Sequence, residues 1–183
     1  GRLLIVAKGA KRPYTRLRAS IFQTFQTLSI GFSGKGSVRT LLDAEIGVVQ
    51  MPCPELNCLG LDRGDPEGAR RPLLEENSRI RCSLSQVGAQ GVLQVLVDSV
   101  VYQIEEYRKN QFEIIGILGI NRSPSCGVET TSADGIEAEG SGVFLEALKQ
   151  ENARRNWNIP ILGIKGSEPE KTLETITRLL KKE

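Results

Sequence analysis

The sequence contains no histidine. That removes the side chain that most often serves as a general base near neutral pH, and with it the commonest nitrogen ligand for transition metals. Any metal centre must then be built from thiolates, carboxylates or ligands from outside the chain. Cysteine is scarce as well. Four in 183 residues are too few for a disulfide scaffold, and in a reducing cytoplasm such cysteines more often mean metal binding or catalysis. Long apolar runs are missing: the longest early one, residues 3–7, falls far short of a signal-peptide core or a bilayer span. A formal charge of +2 gives no global case for a nucleic-acid or membrane partner. A small-molecule ligand and a cytoplasmic setting are the expectation, with the oligomeric state open.

What is present reads as an α/β protein. Residues 3–7, 46–51, 114–120 and 159–164 are short runs rich in Val and Ile and nearly free of charge, as strands covered on both faces should be. Leu93, Leu96, Val97, Val100, Ile104 and Tyr107 recur at helical spacing and predict a long helix over residues 83–110. Val143, Phe144, Ala147 and Leu148 predict another over 142–156. A last helix opens with Ser167 as N-cap and Glu170 as its capping-box partner. Alternation of this kind gives a three-layer sandwich around a short parallel sheet of about four strands, flavodoxin-like or Rossmann-like. The whole chain, 1–183, reads as one domain, with residues 52–81 an excursion packed over one edge.

Two cysteines stand in turns after strands. Cys53 lies between Pro52 and Pro54 with Glu55 two positions on, and Cys126 sits in Ser123-Pro-Ser-Cys-Gly127. In parallel α/β sheets ligands bind beyond the carboxyl ends of the strands, so both turns are expected at one rim. A structural role, a disulfide, redox chemistry and a soft-metal site all remain open. Glu55 is the acid or base candidate, and Ser123 a proton relay or substrate donor. Arg63, in a turn with Asp62 and Asp65, can pair with Glu55 or an anionic ligand. Cys58, close to the Cys53 loop, and Cys82, after two arginines, are weaker thiol candidates. The glycine-rich approach to a helix at residues 135–144 lacks a P-loop lysine and reads as a lid or turn. Trp157 and Tyr107 read as packing residues.

Cys-Pro-Glu at 53–55 and the Ser-Pro-Ser-Cys-Gly turn, together with the "EGSGVFLEAL" stretch, resemble the 2-thiouracil desulfurase family over roughly two-thirds of the chain. The resemblance implies a 4Fe–4S cluster held by three cysteines, with a free iron that takes sulfur from a thiolated base. Cys53 and Cys126 would be ligands, Glu55 and Ser123 proton-transfer groups, and Cys58, Cys82 or an outside group the third ligand. The departure is at the first strand, where Lys8 and Gly9 stand in place of an expected cysteine; a Gly9→Cys change would then restore a ligand. From residue 8 to 40 there are seven Lys/Arg and no Asp or Glu. This anomalous basic segment reads as a solvated face, as a piece foreign to the fold, or as an acquired contact for an anionic partner such as RNA. The alternatives to a desulfurase are a degenerate, non-catalytic domain of the same fold, and a cluster-free thiol protein using Cys53 and Cys58.

Overall fold

The structure, a computed structural model, describes residues 4–8 and 35–181. Most of the basic segment, Gly9 included, therefore lies outside the described residues. Strands β1 (Leu4–Lys8), β2 (Gly47–Gln50), β3 (Glu113–Ile120) and β6 (Ile161–Ile164) form one sheet in the order β2-β1-β3-β6. A separate hairpin joins β4 (Thr130–Ala133) to β5 (Ile136–Glu139). Six helices complete the described chain: α1 (Lys35–Asp43), α2 (Pro54–Leu59), α3 (Leu73–Leu84), α4 (Val87–Lys109), α5 (Val143–Arg154) and α6 (Pro169–Leu180).

The layers follow from where the apolar side chains go. One sheet face packs Val48 and Leu118 against Leu41 of α1 and Ile176 and Leu179 of α6. The other face packs Ile5, Ile114 and Ile117 against Leu93, Val97, Val100 and Ile104 of α4 and Phe144, Leu145 and Leu148 of α5. The result is the expected α/β sandwich of helix, sheet and helix. Helix α4 is long and apolar enough, by length and composition alone, to cross a bilayer. Here one of its faces fills the larger core.

Strand direction departs from expectation at one place. β3 and β6 are parallel, but β1 runs antiparallel to both of its neighbours, pairing Leu4 with Gln50 of β2 and with Leu118 of β3. Every strand expected to be parallel is so except the first. Periodicity could not show this, because a strand buried on both faces has the same apolar composition in either direction.

The helix boundaries shift for local reasons. The single helix expected over 83–110 is broken at Ser85 and Gln86, where Gln86 adopts extended backbone and starts α4. Side chains bridge the break: Ser85 Oγ donates to Arg81 O, and Gln90 Nε2 to Leu84 O. At α6 the expected Ser167 cap is not used. Glu168 is the N-cap, makes no side-chain cap bond, and Pro169 occupies the first turn. The stretch read as a lid at residues 135–144 is instead the β5 arm of the hairpin, followed by the start of α5.

Near the end of α5, Arg154 and Arg155 both bond Glu151 and hold its carboxyl down at about 2. Glu55, Asp65, Glu76, Glu137 and Glu168 are also held below their ordinary values. A carboxyl with a depressed folded pKa contributes stability above its unfolded value and loses it as pH falls through the folded one. Thermal melting should therefore hold steady from neutrality to about pH 5 and decline from there towards pH 2. A Glu151→Gln variant should melt lower at pH 7 and show a shallower acid decline. Parallel acid curves for the two proteins would show that these ion pairs carry no net stability.

Candidate functional site

Because β1 is antiparallel to both β2 and β3, those two strands are parallel to each other. Their carboxyl ends share a rim, and the chain beyond them places Cys53 and residues 123–126 side by side there. The contact that joins the two turns is Ser125 Oγ donating to Glu55 Oε1 at 2.8 Å. Glu55 is 3% exposed, and its other oxygen accepts from Arg63 Nε at 2.8 Å. Burial pushes the Glu55 carboxyl up, but the Ser125 hydroxyl and the Arg63 guanidinium act to lower it, and it stands below the usual value. It is a buried carboxylate kept ionised.

Cys126 is fully buried, and its sulfur lies 3.3 Å from Ser125 Oγ. With Ser125 donating to Glu55, the thiol is the donor in that second contact, and the three groups form a chain from S–H to hydroxyl to carboxylate. Burial pushes the Cys126 thiol up to about 12, and the Glu55 and Cys53 charges act in the same direction. On its own this sulfur is a thiol at neutral pH and not a nucleophile.

Ser123 stands one hydroxyl further from the carboxylate: its Oγ lies 3.3 Å from Ser125 Oγ. Its Oγ accepts the Cys126 N–H at 3.0 Å and the Ser125 N–H at 3.4 Å, so it braces the backbone of the turn. The hydroxyl between thiol and carboxylate belongs to Ser125. In the sequence the two serines are equivalent members of one turn, and only the fold distinguishes the one that faces Glu55. The turn is tightly seated: a Cβ on Gly127 would lie 2.9 Å from Ser123 O and closer still to Thr130 O. Gly142, at the start of α5, is equally confined, because a Cβ there would lie 2.5 Å from Cys126 N. The first amides of α5 donate to the turn itself, Val143 N to Pro124 O and Phe144 N to Ser125 O.

The remaining thiols do not complete a metal site. Cys58 is half-buried with its sulfur 3.7 Å from Ala89 O, and burial and the neighbouring Cys53 both push its pKa up. Cys82 is exposed on α3. All four cysteines are among the described residues, and these contain no cluster of three or more cysteine and carboxylate groups able to hold a metal ion. A four-iron cluster needs three or four thiolates. Among the described residues this donor set does not supply a site for one. β1 ends at Lys8 beside Glu113, the first residue of β3. The loop after β1 therefore begins at the rim opposite Cys53 and Cys126.

Comparison with known proteins gives a different picture from the motif resemblance. No family model matches the chain, and no solved structure matches it. Curated proteins that match are named DNA repair protein RecO. The one from Ralstonia nicotianae is 60% identical over 45 residues, 25% of this chain and 16% of that protein. The Paraburkholderia xenovorans protein is 60% identical over 45 residues, covering 15% of its length. That of Actinobacillus pleuropneumoniae is 41% identical over 56 residues, 31% of this chain and 23% of its own. The matched stretch thus spans between about one seventh and one quarter of the relatives' length.

These findings correct the sequence reading. Relatives named for DNA repair replace the 2-thiouracil desulfurase family, and with it go the desulfurase activity, the metal-binding assignment and the small thiocarbonyl substrate. The degenerate-domain alternative, defined within that same family, gains no support from them. The expectation that nucleic acid is not a partner is overturned by the same names.

Proposed function

We propose that this protein contacts DNA, in a role related to repair. The observation that carries this reading is the 60% identity over 45 residues with proteins named DNA repair protein RecO. The sequence supplies chemistry suited to it. Seven Lys/Arg and no acidic residue between positions 8 and 40 form a run whose charge can neutralise phosphates and release their counterions. A DNA-linked role also agrees with the cytoplasmic location expected from the scarcity of cysteine.

The test is binding of a fluorescently labelled single-stranded oligonucleotide, followed by anisotropy across a range of KCl concentrations. Affinity should fall with salt, with a log–log slope of about −0.7 for each phosphate neutralised. Replacing Lys11, Arg12, Arg16 and Arg18 together by alanine should flatten the slope by about 3, four contacts at that value each. A wild-type protein that shows no binding at low salt, or a variant with an unchanged slope, sinks the reading.

At the Cys126 rim we propose Glu55 as the proton acceptor, with Ser125 as its link to the thiol and Ser123 as the brace that holds the turn. The 2.8 Å contact between Ser125 and Glu55 supports this assignment.

A further inference from the structure

The two rims of the sheet have opposite characters. One holds the Glu55, Ser125 and Cys126 cluster. The other is where β1 ends at Lys8, paired with Glu113 at the start of β3. Because β6 is parallel to β3, the loop leading into β6 lies at this same second rim. So does the end of α4, three residues before β3 begins. Those connections bring Arg108 of α4 together with Trp157, which follows α5. Lys8, the last residue of β1, thus lies at the rim that carries Arg108 and Trp157.

Trp157 is partly buried against the larger core. The Arg108 guanidinium stands 5.9 Å from its ring centre and that of Arg155 5.4 Å. The loop carrying it is fixed on both sides: Trp157 N donates to Asn152 O, and the Asn152 side chain bonds both the N–H and the carbonyl of Ile159. The two arginines differ in what else they do. Arg155 is committed to Glu105 and Glu151. Arg108 is exposed and, among the described residues, has no carboxylate partner; it reaches only Trp157 O, at 3.5 Å.

Charge alone does not define this surface. Lys109 is paired with Glu106, Arg154 with Glu151, and Glu113 is exposed nearby. Such a balance does not suit a duplex held through its phosphates alone. It suits a partner that adds stacking to a modest electrostatic contribution, as an unpaired base on an indole does. The geometry points to Trp157 and Arg108 as a stacking platform for single-stranded DNA. This rests on the proposed DNA-binding role and extends it to a named part of the α/β body. Trp157 takes the base, and Arg108 takes an adjacent phosphate or caps the base as a planar cation.

Trp157 is the chain's single tryptophan, so its emission reports this site alone. Titration of the full protein at low salt with an oligodeoxythymidine should quench that emission over the concentrations at which anisotropy shows binding. A duplex of the same length should quench much less. Trp157→Ala should weaken single-strand affinity about tenfold, the scale of one lost base–aromatic stack. Trp157→Phe should recover most of the loss, and Arg108→Ala should weaken binding without altering the melting temperature. Binding with unchanged emission and an unchanged Arg108→Ala affinity overturns the platform and leaves the basic-segment reading standing. Equal quenching by duplex overturns the stacking argument. A wild-type protein that binds no DNA overturns both.

Discussion

Gly142→Ala is expected to cost about 3 kcal/mol or more of stability, at the upper end of what overpacking a tight site produces. The added methyl would fall within 2.6 Å of the Ser125 carbonyl oxygen and 2.5 Å of Cys126 N. Both are backbone atoms and cannot swing aside as a flexible side chain would. Relief requires α5 to withdraw from the turn, which breaks the bonds from Val143, Phe144 and Leu145 to Pro124 and Ser125. Phe144 and Leu145 are fully buried, so withdrawal also opens the larger core. Urea unfolding followed by circular dichroism would measure the loss. As a contrast, Gly88→Ala on α4, where a Cβ meets nothing within 4 Å, should be neutral or slightly stabilising. Equal midpoints for the Gly142 variant and wild type would mean that the turn and helix are not locked together.

The second large effect is expected at Ser125. Replacing it by alanine removes the donor to a carboxylate that is 3% exposed, and should cost about 1–3 kcal/mol. The pH dependence makes the effect specific. In the wild type Glu55 is held below its ordinary value against burial, so its contribution is present at neutral pH and fades only as pH falls through that lowered value. Without the serine hydroxyl, burial has more of its way and the carboxyl titrates higher. The acid unfolding midpoint of Ser125→Ala should therefore move up in pH, and the destabilisation should shrink in acid, where both proteins hold a protonated Glu55. Ser123→Ala should lower stability by about 1 kcal/mol with a weaker pH signature, since its hydroxyl braces backbone N–H groups and reaches the carboxylate only through Ser125 Oγ, 3.3 Å away. Indistinguishable pH profiles for the two serine variants would remove the distinction drawn between them.

Much of this arrangement was legible in the residues. The Val and Ile runs located the four strands of the sheet, and the Leu93–Ile104 periodicity placed a helix against it. Cys53 and Cys126, each a few residues past a strand, were expected at one rim and are found there. The possible pairing of Arg63 with Glu55 is realised in a direct hydrogen bond. Two things were not legible, for physical reasons. The direction of β1 leaves no trace in composition, since its backbone bonds to both neighbours either way. The choice between Ser123 and Ser125 depends on how the turn is rotated against Glu55, 70 positions away in the chain. The hairpin at residues 130–139 lacks the apolar alternation that marks a strand; its legible signal is Asp134-Gly135, both at positive φ in the two-residue turn between the paired strands. The family resemblance failed differently. Short motifs of Cys, Pro and Gly mark a turn after a strand, which the fold does contain, but they do not by themselves specify what the turn is for.

The central position of β1 has a consequence for how the chain reaches its fold. Leu4 is among the first residues of the sequence, and its partners Gln50 and Leu118 come far later. During synthesis β1 can pair with β2 early, but its other edge stays apolar and unpaired until β3 has been made. Contacts of such long sequence separation slow folding, and the waiting strand is open to pairing with other chains. Refolding from denaturant should accordingly be slow and dependent on protein concentration, with aggregation as the competing outcome.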